Sequence, residues 1–396
     1  MNTQTRLKDA AVVLVLIALV AGISHFVITN PLGLSRIWYR VQAPFIQLNT
    51  RCDYEAPVWL ESIQSYATRN MGAPASQLAW ITPEGKLHHC ETGWKDKIFG
   101  SKPLQPDSRL RFASVTKTPV AIIVLDLINQ GKLALDDHLV NVIGLQDALK
   151  DPRVGNITIE HLLSHTAGWD RTRAQDPMFQ MDVKPWCPSS PEKLSVMELM
   201  YTPGEMKSYS NLGYCLLGLV IEEVTGKPFR DYAGEYFNFA STTLAFLDGP
   251  YQADEPRYDF RHESFYMEDY YKDFNFDAIS SSAGLSGSAS DLARLVHKAL
   301  DASPLTILDG DMESGCDATK IQECYGYGLY RYQPEGAKPL YIHGGKLPGA
   351  TSAIFVTPNK GVLVWLGAGV PPSGASSLRE FYDFVRHSIS NSTLTK

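Results

Sequence analysis

Ser114-Val115-Thr116-Lys117 sets a hydroxyl and an amine three residues apart. At the start of a helix, residues at that spacing share one face, so the amine can reach the hydroxyl. A serine hydroxyl is a weak nucleophile until a base removes its proton. Lysine can serve as that base when burial or a neighbouring cation lowers its pKa. The free N–H groups of a helix N-terminus favour the negative charge that such an attack creates. Alone, the tetrapeptide is a weak signal, because a plain surface helix start looks the same. Two further clusters raise its weight. Tyr209-Ser210-Asn211 offers a phenol that can relay a proton beside a cation, and an amide that both donates and accepts. His343-Gly344-Gly345-Lys346 closes a strand-like run, and two glycines let a carbonyl approach the backbone. A backbone N–H there, with that of Ser114, would form an oxyanion hole.

The elements that must position these residues follow from pattern. Residues 57–71 read as a first helix. Residues 77–81 and 86–92 alternate as strands around the turn Pro83-Glu84-Gly85. A short extended run at 109–113 leads into a helical pattern over 114–130, with Gly131 at the capping position. Residues 159–164 and 214–225 are further helices, the second closed by Gly226. Residues 340–343, 352–357 and 362–366 are apolar and β-branched, and Pro358-Asn359-Lys360-Gly361 marks a hairpin between the last two. A helix over 378–388 follows. Sheet-forming segments thus lie at both ends and helices between them. The simplest arrangement is an α+β fold with an antiparallel sheet flanked by helices. The sheet subdomain would draw on 56–113 and 280–390, with an all-helical subdomain over 114–279 inserted. Residues 31–55 read as a linker. The stretch 255–278 holds eight aromatic and seven acidic residues, the composition of a surface loop with aromatics packed beneath it or of a substrate lip.

Composition excludes several classes. The chain has 396 residues, 44% hydrophobic and 20% charged, which fits neither a disordered chain nor a fibre. Its 36 basic and 43 acidic residues give a net charge of −7, so it lacks the positive footprint that nucleic-acid binding needs. Residues 10–29 carry no charge apart from a titratable His25. Twenty helical residues span roughly 30 Å, the thickness of a bilayer core. Arg6 and Lys8 precede the segment and Arg36 and Arg40 follow it, so the positive-inside rule is nearly balanced. A cleaved signal peptide is the competing reading. Cleavage after Ala21 would place Leu19 where a small residue is preferred, so residues 1–30 read better as an uncleaved transmembrane anchor. Either reading puts the body on the outer side of a membrane, periplasmic or extracellular. Without residues 1–30 the chain has 34 basic and 42 acidic residues. Such a body gains nothing electrostatically from anionic lipid.

The motifs S-x-x-K, Y-x-N and H-x-G, in that order, resemble those of the serine β-lactamase and penicillin-binding-protein superfamily. The tyrosine form of the second motif resembles its class C branch, which includes esterases, D-aminopeptidases and D-alanyl-D-alanine carboxypeptidases. Further branch-like runs are Gln130-Gly131-Lys132-Leu133, HLLSHTAG from His161, YSNLGYCLLG from Tyr209 and SSAGLSGSASDLARL from Ser281. The resemblance covers about residues 56–390. It implies a β-lactamase-like fold and hydrolysis through an acyl-enzyme on Ser114. Lys117 would ease deprotonation of the serine, and Tyr209 would act as general base and acid. Asn211, His343, Gly344 and Gly345 would face the substrate. The N–H groups of Ser114 and Lys346 would form the oxyanion hole. No cofactor is implied. His343 stands where true β-lactamases have a lysine that helps hold the drug's carboxylate, and a neutral imidazole does this less well. An ester or a peptide or amide substrate, D-amino-acid-containing ones included, is therefore preferred over a β-lactam. β-Lactamase or D-alanyl-D-alanine carboxypeptidase action is the alternative. A catalytically silent, membrane-tethered binding or regulatory protein is a rival of another class, but it would be expected to have lost Ser114, Lys117 or Tyr209.

Histidine spacing gives no metal site. His161 and His165 are four apart, but Leu162 stands where H-E-x-x-H needs glutamate. His88 and His89 would face opposite sides of a strand. An exported domain can keep disulfides. Cys316 with Cys324 is the first pairing expected and Cys52 with Cys90 the second, while Cys215 reads equally well as a small buried hydrophobe.

Overall fold

The computed structural model describes residues 3–30, 33–96, 99, 102–169, 176–178, 184–249, 251–256, 275–302, 304–310, 315–347, 349–369 and 375–392. Most of the aromatic stretch 255–278 lies outside the described residues. Helix α1 (Thr3–Thr29) contains the apolar run. Its Asp9–Thr29 segment, 21 residues of mean hydropathy 2.8, is long and apolar enough to cross a membrane, and its side chains are exposed. The next stretch departs from the expected linker, because it forms helix α2 (Gly33–Gln47) and a short strand β1 (Arg51–Cys52). The reason is a helical repeat that a linker would not carry: Tyr39, Ala43 and Ile46 are buried together against Trp94.

Helix α3 (Val58–Tyr66) runs on through a wider turn to Met71 and stops at Gly72, whose φ is 72°. Strands β2 (Ala75–Ile81), β3 (Leu87–Gly93) and β4 (Leu110–Arg111) follow. Helices α4 (Lys117–Asn129), α5 (Leu139–Val142), α6 (Ile159–Leu163), α7 (Asn211–Thr225) and α8 (Phe229–Tyr236) occupy the middle of the chain. Then come β5 (Ala245–Phe246), α9 (Ser280–Ala283), β6 (Leu285–Gly287) and α10 (Ala289–Ala302). The chain closes with β7 (Cys324–Tyr325), β8 (Tyr330–Tyr332), β9 (Leu340–Leu347), β10 (Ala350–Val356), β11 (Val362–Ala368) and α11 (Ala375–Ser392).

The main sheet has the order β1-β3-β2-β11-β10-β9-β8-β7 and is antiparallel throughout. Its two halves meet at the β2–β11 pair, where Leu78 faces Trp365 and Ala79 faces Val364. Alternation along the strands serves two cores. Ala79, Ile81, Ile354, Val364 and Leu366 pack with α4, α7 and α10. Leu78, Trp80, Phe355, Leu363 and Trp365 pack on the other side with Leu60 and Ile63 of α3 and with Phe381 and Tyr382 of α11. Each such large side chain contributes roughly 1.5–3 kcal/mol by burial. A second, three-stranded sheet, β4-β6-β5, clamps the chain just before Ser114. There the Arg111 guanidinium lies in a buried pair with Glu255, Nε to Oε1 at 3.0 Å, which ties residues 251–256 to β4.

Three disulfides close loops. Cys52–Cys90 joins the paired residues of β1 and β3, and Cys316–Cys324 bridges the approach to β7, both as expected. The third was not anticipated: Cys187 reaches Cys215 on α7 across 28 residues. In the chain-entropy model a closure of that length contributes roughly 3–4 kcal/mol.

Candidate active site

Ser114 sits half-buried in a 3₁₀ turn (Ala113–Thr116) between β4 and α4. Side chains at i and i+3 eclipse in that geometry, so Ser114 and Lys117 project side by side. Ala113, just ahead, has φ 48°. This left-handed conformation costs an L-residue about 1–2 kcal/mol, so its surroundings must hold it. The Phe112 N–H donates to the Leu285 carbonyl at 2.9 Å, and the Phe112 carbonyl accepts from the Val115 N–H and from the Ser352 hydroxyl. The turn itself and two separate segments, β6 and β10, therefore fix the backbone that carries the serine.

Lys117 is fully buried. Its Nζ donates to Asn211 Oδ1 at 2.7 Å and to the Ser282 carbonyl at 2.8 Å. It also lies 4.8 Å from the Tyr209 ring centroid and 5.4 Å from that of Tyr214, within cation–π range. Asn211 is the first residue of α7, whose N-cap is Ser210. The Ser210 hydroxyl accepts the Gly213 N–H, so it serves the helix end. The structure turns Asn211 inward. Its Nδ2 donates to both oxygens of Asp176 at 3.0 and 3.1 Å, and its backbone N–H donates to Asp176 Oδ2. With Oδ1 on Lys117, its amide is committed to the lysine and the acid rather than presented to a substrate. Sequence reasoning missed Asp176. A lone acid in Asp176-Pro177-Met178 carries no local signal, and its role exists only once the chain brings it to α7. The Ser282 carbonyl was missed too, although it lies in the run from Ser281 noted above.

An aromatic wall faces this group. Tyr209 is half-buried, its ring 4.4 Å from that of His165 and 6.3 Å from that of His343. His165 follows the end of α6 with φ 62° and accepts the Ser210 N–H on Nδ1, so it orients the Tyr209 segment. His161 closes the capping box of α6 with Thr158. His88 and His89 pair with separate acids, Asp53 and Glu91. Tyr214 and Tyr325 share a hydrogen bond inside the wall, and burial pushes both phenols up.

Strand β9 brings the last cluster alongside. Its alternation splits the four residues between two faces. His343 and Gly345 face the serine side. A Cβ on Gly345 would lie 2.5 Å from the Phe112 carbonyl oxygen and 2.9 Å from the Ser114 nitrogen, so only glycine permits this approach. Gly344 faces away, where a Cβ would collide with the Tyr382 hydroxyl of α11. Its expected place at the substrate is thus not what requires a glycine. Lys346 shares the Gly344 face and is exposed, so its ammonium does not replace the charge missing at His343. The His343 imidazole is buried, and Nδ1 donates to the Gly344 carbonyl at 2.8 Å. Burial first, and the Lys117 ammonium second, push it down to about 3. It is neutral at pH 7 and adds no cation to the site. A cavity of about 380 Å³ beside the Cys187–Cys215 bridge is a separate feature, and Ser114, Lys117 and Tyr209 do not line it.

The family model described as Beta-lactamase matches residues 63–366. The chain belongs to the beta-lactamase family. It is accordingly a serine hydrolase of the β-lactamase-related type that works through an acyl-enzyme. A putative fimbrial assembly protein FimD, serogroup D, of Dichelobacter nodosus is 38% identical, with 94% of each chain covered. Esterase EstB of Burkholderia gladioli is 32% identical over 36% of this chain and 38% of its own. Among solved structures, D-amino acid amidase from Ochrobactrum anthropi SV3 superposes with a TM-score of 0.67 at 20% identity. That match covers 85% of this chain and all of the amidase, and it speaks for the fold.

Two outcomes follow from this geometry. Removing the carboxylate in Asp176→Ala frees the Asn211 amide to rotate away from Lys117. We expect kcat to fall about tenfold to hundredfold, the worth of a charge-assisted hydrogen bond, with KM little changed and partial recovery in Asp176→Asn. Steady-state kinetics beside thermal melts test this, and an unchanged kcat would refute it. His343 has its pKa lowered in the folded state, so its contribution is fully present above the unfolded value near 6.5 and is lost as pH falls toward about 3. Between pH 6.5 and 4.5, denaturant unfolding of wild type should lose up to about 1.4 kcal/mol per pH unit more than His343→Gln does. Parallel slopes would contradict the assignment.

Proposed function

We propose that Ser114 Oγ attacks the carbonyl carbon of an ester or amide and that Tyr209 and Lys117 together take its proton. The N–H groups of Ser114 and Lys346 would hold the oxyanion. Collapse expels the alcohol or amine, which receives the proton through Tyr209. Water then attacks the acyl-serine and restores the hydroxyl. The fully buried Lys117, held by Asn211 and Ser282, is the observation that carries this reading. Asn211 acts by fixing the lysine. The neutral His343 favours a substrate without a carboxylate at that subsite, so esters and amides, including those of D-amino acids, come before β-lactams. A relative named as an esterase agrees with the ester part of that range. The test is a panel of short esters, D-amino-acid amides and a chromogenic cephalosporin, with Ser114→Ala as control. Turnover of the esters or amides that falls at least 10³-fold in the variant is expected. Fast serine-dependent turnover of the cephalosporin alone would overturn the substrate reading.

We also infer that α1 anchors the chain in a membrane with the hydrolase outside the cytoplasm. Its 21-residue apolar run supports this, as do three disulfides, which persist in oxidising compartments. A relative matching nearly the whole chain is named for fimbrial assembly, which favours surface-fibre assembly as the process served. A Ser114→Ala strain scored for fimbriae by electron microscopy should lose them or shorten them. Wild-type fimbriae would refute that role.

A further inference from the structure

Helix α2 is apolar on two opposite sides. At about 100° per residue, Tyr39, Ala43 and Ile46 fall on one side, with exposures of 6%, 4% and 0%. Ile37, Trp38, Val41, Phe45 and Leu48, the last just past its end, fall within an arc of about 100° on the other. Their exposures are 52%, 61%, 51%, 51% and 84%. Phe99, also exposed, extends the outer stripe, its ring 6.0 Å from that of Phe45. The inner side is fastened to the hydrolase body. The Tyr39 hydroxyl donates to the Thr68 carbonyl at 2.6 Å, Gln47 Nε2 donates to Ser65 Oγ at 2.6 Å, and Arg69 Nε donates to Gln47 Oε1. The helix is therefore part of the body and not a loose arm.

We propose that the outer stripe of α2 lies in the interfacial layer of a lipid bilayer and seats the hydrolase body flat against the membrane. This rests on the anchor reading of α1. The apolar run ends at Thr29 and α2 begins at Gly33. The three intervening residues reach at most about 14 Å, so α2 starts at the membrane surface whatever path they take. A helix held there with Trp, Phe, Ile, Val and Leu outward gains by sinking that face about 5–10 Å into the headgroup and acyl boundary. Tryptophan is at home at that depth. The body is acidic, with 34 basic against 42 acidic residues beyond position 30. The attraction is therefore apolar and independent of anionic lipid.

The experiment uses the full chain in phosphatidylcholine vesicles whose acyl chains are brominated near the headgroup, with unbrominated vesicles as reference. The chain has seven tryptophans, so Trp38→Phe isolates the signal of Trp38. Flotation with the vesicles, bromolipid quenching of wild type, and loss of at least half of that quenching in Trp38→Phe are expected. Adding phosphatidylserine should change none of these. Flotation with equal quenching in wild type and Trp38→Phe would overturn the seating of α2 and leave the anchor standing. Failure to float would overturn the anchor and the seating together. A photoreactive residue at Leu48 that crosslinks to a second copy instead of lipid would assign the stripe to a dimer and likewise overturn the proposal.

Discussion

A buried ammonium organises this molecule. Lys117 lies at zero exposure in a helix whose other buried residues, Thr118 apart, are apolar. The charge is tolerable only where dipoles replace the lost water. Those dipoles come from distant parts of the chain, the Asn211 amide on α7 and the Ser282 carbonyl on α9. Each provider is held in turn, Asn211 by Asp176 and the backbone after Ser282 by Thr116, whose hydroxyl accepts the Leu285 N–H. Burial keeps His343 neutral, and the same charge adds to that effect from across the site. One lysine thus sets the orientation of an amide and the meeting point of helices far apart in sequence.

The main sheet supplies the rigidity this arrangement needs. Its central strands are buried on both faces, so β9 cannot shift relative to the serine turn without disturbing two cores. Gly345 then meets Phe112 and Ser114 at backbone contact distance. The left-handed Ala113 is the local cost of turning the chain from β4 into α4 within so few residues. Strain beside a reactive group is common because the surrounding scaffold can bear it.

Most of the architecture was legible in the sequence because its signals are local. Alternation placed β2, β3, β10 and β11 to within about two residues, and Gly226 marked the end of α7. The motif residues Ser114, Lys117, Tyr209 and His343 were also locally marked, and the structure gathers them around one site. What was not legible depends on contacts between segments. Asp176 is an ordinary acid until it meets Asn211, 35 residues on. Cys187 and Cys215 are paired by the approach of a loop to a helix. The inward turn of Asn211 follows from two partners that no spacing rule names. Helix α2 escaped for another reason: Pro44 lies inside it, and a proline within a helical pattern reads as a break.

The adjacent glycines of β9 carry a consequence for how such a chain can drift in evolution. Gly344 is constrained by the hydroxyl of Tyr382, an atom of one side chain, whereas Gly345 is constrained by the main chain at Phe112 and Ser114. Loss of the Tyr382 hydroxyl would relax the first position, so residues 344 and 382 should covary among descendants of this sequence. No single side-chain replacement relaxes position 345 in the same way, because the peptide groups it meets are present whatever residues stand there. Two neighbouring glycines of identical appearance are thus under selection of different kinds, one negotiable through a partner and one fixed by the backbone.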